Sequence, residues 1–386
     1  MIYYLSQYLL KLAEDSAWHD SLSFLRIFRY ITFRSAGAMV TALALSLWLG
    51  PKVIAWLKRL KFGQDYVDKA EEAAKLEGRT HSKKGTPTMG GLLIVAVMDV
   101  TALIWAQWTT MVALTLVSVL VLAGLGFYDD YAKITQQSNK GAAANLKLWV
   151  QGALGIFIAV YLWQNPQLAR LRLISEVMVP FVKYPVLTGT VGTVVGLIIA
   201  SAAIVGSSNA VNFTDGLDGL AIGCTLIVTT VFLVLTYLAG NFRAASYLQM
   251  PYVAGAGELT VFCAAMIGAG LGFLWFNCHP ARVFMGDTGS LALGGALGII
   301  AVLIHQPLML VIAGGVFVAE TVSVIIQTSY FKYTRKRYGT GRRVFLMAPL
   351  HHHFERKGWH ESQVVIRFYI LCILCAVVAL STLKIR

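Results

Sequence analysis

Thr109-Thr-Met-Val-Ala-Leu-Thr-Leu-Val-Ser-Val-Leu-Val-Leu-Ala-Gly-Leu-Gly-Phe-Tyr-Asp-Asp-Tyr131 is an uncharged apolar run that stops at two adjacent carboxylates. Residues 109–128 match the roughly 20 apolar residues that a helix needs to cross a bilayer core. Further apolar runs lie at 35–57, 88–107, 146–163, 186–206, 216–239, 259–277, 289–305, 307–331 and 363–383. The pattern predicts an all-α polytopic membrane protein of about ten transmembrane helices. Composition agrees. The 386 residues are 57% hydrophobic and 13% charged, whereas soluble domains are about 45–50% apolar and about 25% charged. This argues against a soluble enzyme, a disordered chain and a disulfide scaffold. It leaves one integral membrane domain, 1–386, with little left over for a separate soluble one.

Residues 1–34 carry Lys11, Glu14, Asp15, Asp20, Arg26, Arg29 and Arg34. They lack a short apolar core followed by a small-residue cleavage site, so a removable signal peptide is not expected. They read as an amphipathic interfacial segment whose aromatics suit the headgroup layer. Cys224, Cys263, Cys372 and Cys375 lie in apolar runs and read as small core residues, not as bridges or metal ligands.

Lys and Arg set the orientation. Of the 32 basic residues, 22 fall in 52–84, 133–147, at Arg282 and in 332–367, all on one side of a ten-span arrangement. That side is expected to be cytoplasmic, with both termini periplasmic. The net charge of +13 is then mostly a cytoplasmic collar. Such a collar attracts anionic lipid and is also placed to recognise an anionic soluble substrate.

Acidic residues number only 19, and their placement is informative. Asp129 and Asp130 end the third span. Asp215 and Asp218 lie in Asn209-Ala-Val-Asn-Phe-Thr-Asp-Gly-Leu-Asp-Gly219, and Asp287 lies in Val283-Phe-Met-Gly-Asp-Thr-Gly-Ser290. All five are expected at the cytoplasmic membrane face. Clustered carboxylates repel unless a cation sits among them. Hard oxygen donors suit Mg²⁺, with Mn²⁺ as a substitute. A metal-assisted phosphoryl or diphosphate reaction at the membrane surface is the chemistry this suggests. Asp215 and Asp218 would share a face if the helix has begun, with Asn212 three residues back as a candidate substrate contact. Asp99 falls mid-span without acidic neighbours and is expected to pair inside the bundle.

Lys83 and Lys84 precede the second span, and Lys133, Lys140 and Lys147 follow Asp129-Asp130. Ammonium groups serve as point charges for phosphate. His351-His352-His353 lie in a late loop; consecutive residues do not share a helix face, so hydrogen bonding to substrate is preferred over zinc. Phe284, three before Asp287, could stack on a base.

Several of these motifs carry a family likeness. They are Lys-Lys-Gly-Thr-Pro-Thr-Met-Gly-Gly (83–91), Phe-Tyr-Asp-Asp-Tyr (127–131), Asn-Ala-Val-Asn-Phe-Thr-Asp-Gly-Leu-Asp-Gly-Leu-Ala (209–221) and Phe-Leu-Trp-Phe-Asn (273–277). Val-Phe-Met-Gly-Asp-Thr-Gly-Ser-Leu (283–291) and Ala-Pro-Leu-His-His-His-Phe-Glu (348–355) complete the set. From about Phe33 to Arg386 the chain resembles the phospho-N-acetylmuramoyl-pentapeptide transferases.

The resemblance implies transfer of phospho-N-acetylmuramoyl-pentapeptide from its UDP derivative to undecaprenyl phosphate, giving lipid I and UMP, the first membrane step of peptidoglycan synthesis. It implies Mg²⁺, the bacterial inner membrane, membrane lipids around a homodimer, and no nucleic acid partner. Asp287 resembles the metal ligand, with Asp215 a second candidate and Asp129 and Asp130 beside it. Gly216, Leu217, Asp218, Asn277, Phe284 and Lys83 match a uridine pocket. Lys133 and Lys147 match basic residues near the diphosphate. Gln327 and His351, His352 and His353 match the sugar–peptide side, and the ninth span is expected to be broken near Gly314-Gly315. The catalytic candidates are thus Asp129, Asp130, Asp215, Asp287 and the three histidines. Direct transfer and an aspartyl-phosphate intermediate both remain open. A transferase for another UDP-sugar, such as UDP-N-acetylglucosamine, is the nearest alternative; an ion-coupled transporter is the alternative from another class.

Overall fold

The computed structural model describes residues 1–14, 19–60, 85–135 and 141–383. Its principal helices are α1 (Ile2–Leu12), α2 (Ile31–Arg59), α3 (Gly91–Trp105), α4 (Thr110–Thr135), α5 (Ala144–Gln164) and α6 (Gly189–Thr214). Then follow α7 (Leu220–Ala239), α8 (Gly257–Asn277), α9 (Gly286–Leu303), α10 (Met309–Ala313), α11 (Gly315–Tyr338), α12 (Leu350–Arg356) and α13 (Glu361–Ser381). Among the described residues there is no β-strand; Val177 and Leu187 form an isolated bridge.

Eight of the described helices are long and apolar enough to cross a membrane: α2, α4 to α9 and α13. The chain is thus a multi-pass membrane protein. The segments expected at 88–107 and 307–331 are helical too, but differ from those eight. Helix α3 has only 15 residues. The ninth segment is split at Gly314 into α10 and α11, and the last turn of α11 carries Arg335, Lys336 and Arg337.

Two helices outrun the apolar runs that announce them. Helix α4 continues to Thr135 and so holds Asp129, Asp130 and Lys133 on its last turns. Helix α6 continues to Thr214, carrying Asn209 and Asn212. The next helix begins only at Leu220. Asp215 and Asp218 are therefore not on one helix face, as the spacing suggested. They lie in the turn between α6 and α7, where Gly219 takes a left-handed conformation, φ 80°, that suits glycine.

Helices α8 and α9 form the interior, with 83% and 89% of their apolar windows buried, against 22% for α6 and 28% for α5. Small residues bring the helix backbones together, as membrane helix packing requires. A Cβ at Gly268 of α8 would lie 2.2 Å from the Met39 carbonyl of α2, and one at Gly294 of α9 2.3 Å from the Ser207 carbonyl of α6. Cys224, Cys263 and Cys372 are buried and free.

At the end of the bundle away from Asp129 and Asp287, buried Arg34 pairs bidentately with Glu258 at 2.6 and 2.7 Å. Helix α1 lies there, its Tyr4 hydroxyl accepting from the Trp108 N–H at 3.0 Å. It leaves Leu5, Tyr8 and Leu12 exposed. Asp99 is buried on α3, and neither of its oxygens makes a hydrogen bond to a described residue; the expected pairing is not formed.

Candidate functional site

The acidic centre begins with a close backbone approach. Gly126 sits one turn before Asp129 and Asp130, and a Cβ there would lie 2.2 Å from the Asp287 carbonyl. The missing side chain lets the first turn of α9 abut α4. Asp130 then caps α9: it accepts from the Asp287 N–H at 3.1 Å, the Thr288 N–H at 3.0 Å and the Thr288 hydroxyl at 2.7 Å. Free N–H groups at a helix start favour such an anionic acceptor.

Asp129 and Asp287 face two ammonium groups. Lys133 lies 2.6 Å from Asp129 Oδ2 and 3.2 Å from Asp287 Oδ1. Lys147, on the first turn of α5, lies 2.8 Å from Asp129 Oδ1 and 2.6 Å from Asp287 Oδ2. The Ala142 N–H also donates to Asp129 Oδ1, at 2.8 Å. Asn212 donates to Asp287 Oδ1 and to the Ser290 hydroxyl, both at 2.9 Å. These bonds orient Asp287.

Asp129, Asp130 and Asp287 each offer an oxygen within 4.8 Å of the others. The donors are all hard oxygens, which fits Mg²⁺ or Mn²⁺. Asp130 is engaged by the α9 N-terminus, whereas Asp129 and Asp287 face the two lysines and are the pair that could hold a cation. Asp215 is outside this cluster, at the C-cap of α6. Burial raises its carboxyl to about 8, and the negative charges of Asp287, Asp130 and Asp218 add to that.

A second constellation surrounds Asp218. Its Oδ2 accepts from the Ala281 N–H at 3.1 Å and lies 3.1 Å from His279 Nδ1. Its own N–H donates to Glu361 at 2.9 Å. Asn277 accepts from the Gly219 N–H at 3.1 Å and donates to the Val283 carbonyl at 2.8 Å. Leu217 is buried beside them and Phe284 is half-buried. The Phe284 backbone bonds to Pro87 and Gly90, fastening residues 87–90 against the start of α9. Lys83 and Lys84 lie outside the described residues.

The histidine run starts α12. His351 is fully buried. His352 Nδ1 lies 2.8 Å from Glu355, and His353 Nδ1 accepts from the Leu346 N–H at 3.1 Å. Gln327 of α11 accepts from the Val344 and Phe345 N–H groups, both at 3.0 Å, and donates to the Phe345 carbonyl at 3.2 Å. Its amide is a clasp for the loop before the histidines.

Three groups escaped the sequence reading. His279 and Glu361 meet Asp218 across gaps of 61 and 143 residues, with no local signal. Gln151, fully buried one turn beyond Lys147, donates to Ser208 at 3.0 Å and accepts from Asn209 at 2.7 Å. Ser208 in turn donates to the Leu291 carbonyl at 2.9 Å, so this network registers α5, α6 and α9 behind the acidic centre. A glutamine within an apolar helix was the available signal.

Comparison with known proteins gives concordant matches. Residues 112–305 match the profile described as glycosyl transferase family 4. Residues 83–95 match phospho-N-acetylmuramoyl-pentapeptide-transferase signature 1. The chain is 46% identical over 389 residues to the phospho-N-acetylmuramoyl-pentapeptide-transferase of Methylacidiphilum infernorum, covering 100% of both chains. It is 50% identical over 365 residues to that of Solidesulfovibrio magneticus, covering 94% of this chain and 96% of the relative. For that of Syntrophus aciditrophicus the identity is 46%, over 95% and 98%.

Proposed function

By this full-length likeness the chain belongs to the phospho-N-acetylmuramoyl-pentapeptide-transferase family, and from that premise we propose that it performs the family's reaction at the Asp129–Asp287 centre. UDP-N-acetylmuramoyl-pentapeptide gives its phospho-sugar to a polyprenyl phosphate, and the products are lipid I and UMP. An acceptor phosphate oxygen forms a bond to the β-phosphorus of the UDP-sugar. The bond from that phosphorus to the bridging oxygen breaks, and the oxygen leaves with UMP.

Both reactants are anions, so their approach is opposed by Coulomb repulsion. The observation that carries the reading is that Lys133 and Lys147 are each shared between Asp129 and Asp287. Held there, the two ammonium groups offset the charge of the diphosphate. Asp287, steadied by Asn212, and Asp129 are the residues that would hold Mg²⁺. When bound, that ion would supply Lewis-acid neutralisation of the UDP-sugar diphosphate and of the UMP that leaves. A phosphate monoester has a second pKa of about 6, so the nucleophile is already largely dianionic and needs little help from a base. Asp129 orients the lysines and, between them, the attacking phosphate.

The remaining assignments rest on the resemblance and on the basic-residue bias. The acceptor is undecaprenyl phosphate, the site faces the cytoplasm with the termini periplasmic, and the protein works as a homodimer in the inner membrane. The uridine moiety is met by the 216–218 turn, Asn277, Phe284 and Lys83. The test is UMP release in detergent with Mg²⁺, several UDP-sugars and several polyprenyl phosphates. Release that is strongest with the muramoyl-pentapeptide nucleotide is expected. Equal or better turnover of UDP-N-acetylglucosamine would move the enzyme to the neighbouring specificity.

A further inference from the structure

Helix α11 carries Glu320 and Gln327 seven residues apart, which places them on one helical face. Gln327 clasps Val344 and Phe345. Glu320 reaches the same loop further on. Its Oε1 accepts from the His351 N–H at 3.2 Å, and His351 Nδ1 lies 3.2 Å from that oxygen. Both side chains are buried, with relative exposures of 0% for Glu320 and His351. One stripe of α11 therefore holds the histidine segment at two points.

The far edge of the imidazole meets the turn between α6 and α7. A Cβ at Gly216 would lie 2.2 Å from His351 Nε2 and 3.0 Å from Cε1. The ring thus fills the space where a side chain at position 216 would stand. Neither ring nitrogen of His351 nor Glu320 Oε2 has a hydrogen-bond partner among the described residues, so the backbone N–H is the bond that ties His351 to Glu320. Burying unsatisfied polar atoms is unfavourable by about 1–3 kcal/mol each. An apolar pair of similar shape would pack here without that penalty, so packing alone does not account for a glutamate and a histidine.

We infer that Glu320 is a positioning residue for the transfer site, acting through His351 to brace the Gly216 turn. The inference rests on the proposed transferase reading and goes beyond it. Asp215 and Asp218 flank that turn on either side, one toward the acidic centre and the other toward His279. The brace sets the distance between the two constellations. It also makes His351 a strut, and leaves His352 and His353 as the histidines with side chains near the surface.

The test is a double-mutant cycle on the full-length enzyme in detergent, with Glu320→Ala, His351→Ala and the pair, alongside Glu320→Gln. The readouts are kcat/KM for UMP release from the muramoyl-pentapeptide nucleotide and the melting temperature. A displaced turn can lower turnover by about 100-fold for a shift of about 1 Å, so each single change is expected to lower kcat/KM by about 10- to 100-fold. The double mutant is expected to fall no further than the worse single. Glu320→Gln keeps an acceptor for the His351 N–H and is expected to restore turnover to within about threefold, a recovery consistent with retained hydrogen bonding. Multiplying defects, or a Gln variant as poor as the Ala variant while melting like wild type, would overturn the inference. If the wild type itself releases no UMP, the transferase reading fails, whereas coupling between the two residues in melting still reports the brace.

Discussion

Lys147 and Asp287 are 140 residues apart in sequence, yet the ammonium of one lies 2.6 Å from the carboxylate of the other. The contact joins the first turn of α5 to the first turn of α9. Lys147 also reaches Asp129, so one cation ties three helices at the proposed transfer site.

Lys147→Met removes that cation and keeps the stem. Asp129 and Asp287 would then repel each other with only Lys133 between them. Turnover is expected to fall by about two orders of magnitude, the scale of losing one preorganised charge at a reacting centre. The Mg²⁺ dependence of UMP release checks the assignment. A dependence and rate like those of wild type would remove Lys147 from the centre.

Asp130→Ala and Asp287→Asn should separate structure from chemistry. Asp130 accepts three hydrogen bonds at the start of α9. Its loss is expected to lower the melting temperature, with a destabilisation of about 1–3 kcal/mol. Asp287→Asn keeps the cap and the fold, but removes the charge facing both lysines. It should abolish transfer in a way that added Mg²⁺ rescues poorly. Near-normal turnover by Asp287→Asn at ordinary Mg²⁺ would sink the metal assignment.

Phe284→Ala probes the uridine contact. Base–aromatic stacking in nucleic-acid proteins is worth about 1–3 kcal/mol, so UMP affinity by calorimetry should weaken about 5- to 150-fold. An unchanged affinity would make Phe284 a packing residue only, fixed by its backbone bonds to Pro87 and Gly90.

His352→Ala tests specificity. An imidazole can donate and accept hydrogen bonds, which suits a lactyl-peptide sugar and adds little for UMP. The expected outcome is a loss in kcat/KM for the full substrate with UMP binding nearly intact. A matching loss in UMP affinity would assign this histidine to the nucleotide or to the fold.

Orientation follows from labelling. Thr340 and Arg243 are both exposed and lie in connections between spans predicted on opposite sides, Arg243 on the short helix Phe242–Leu248. With Cys278 replaced by serine, Arg243→Cys should react with an impermeant maleimide on spheroplasts, and Thr340→Cys should not. The reverse pattern would turn the protein over in the membrane.

The apolar runs were legible because hydrocarbon admits few structures besides a helix of sufficient length, and a run such as 109–128 has no other way to satisfy its backbone. The acidic motifs were legible because carboxylates beside apolar runs are rare and need a cation. Their division of labour was not. Asp129 and Asp130 are neighbours in sequence, but adjacent helical residues point about 100° apart. Packing of α9 against Gly126 turns Asp130 into a cap and leaves Asp129 facing the lysines. The same holds for Asp215 and Asp218, separated because α6 runs on to Thr214 and the next helix waits until Leu220. Gln327 and Asn277 bond to backbone groups of loops that no local pattern places beside them. Glu320, His351 and Gly216 meet from three separate segments, and their contact exists only where those segments are packed together.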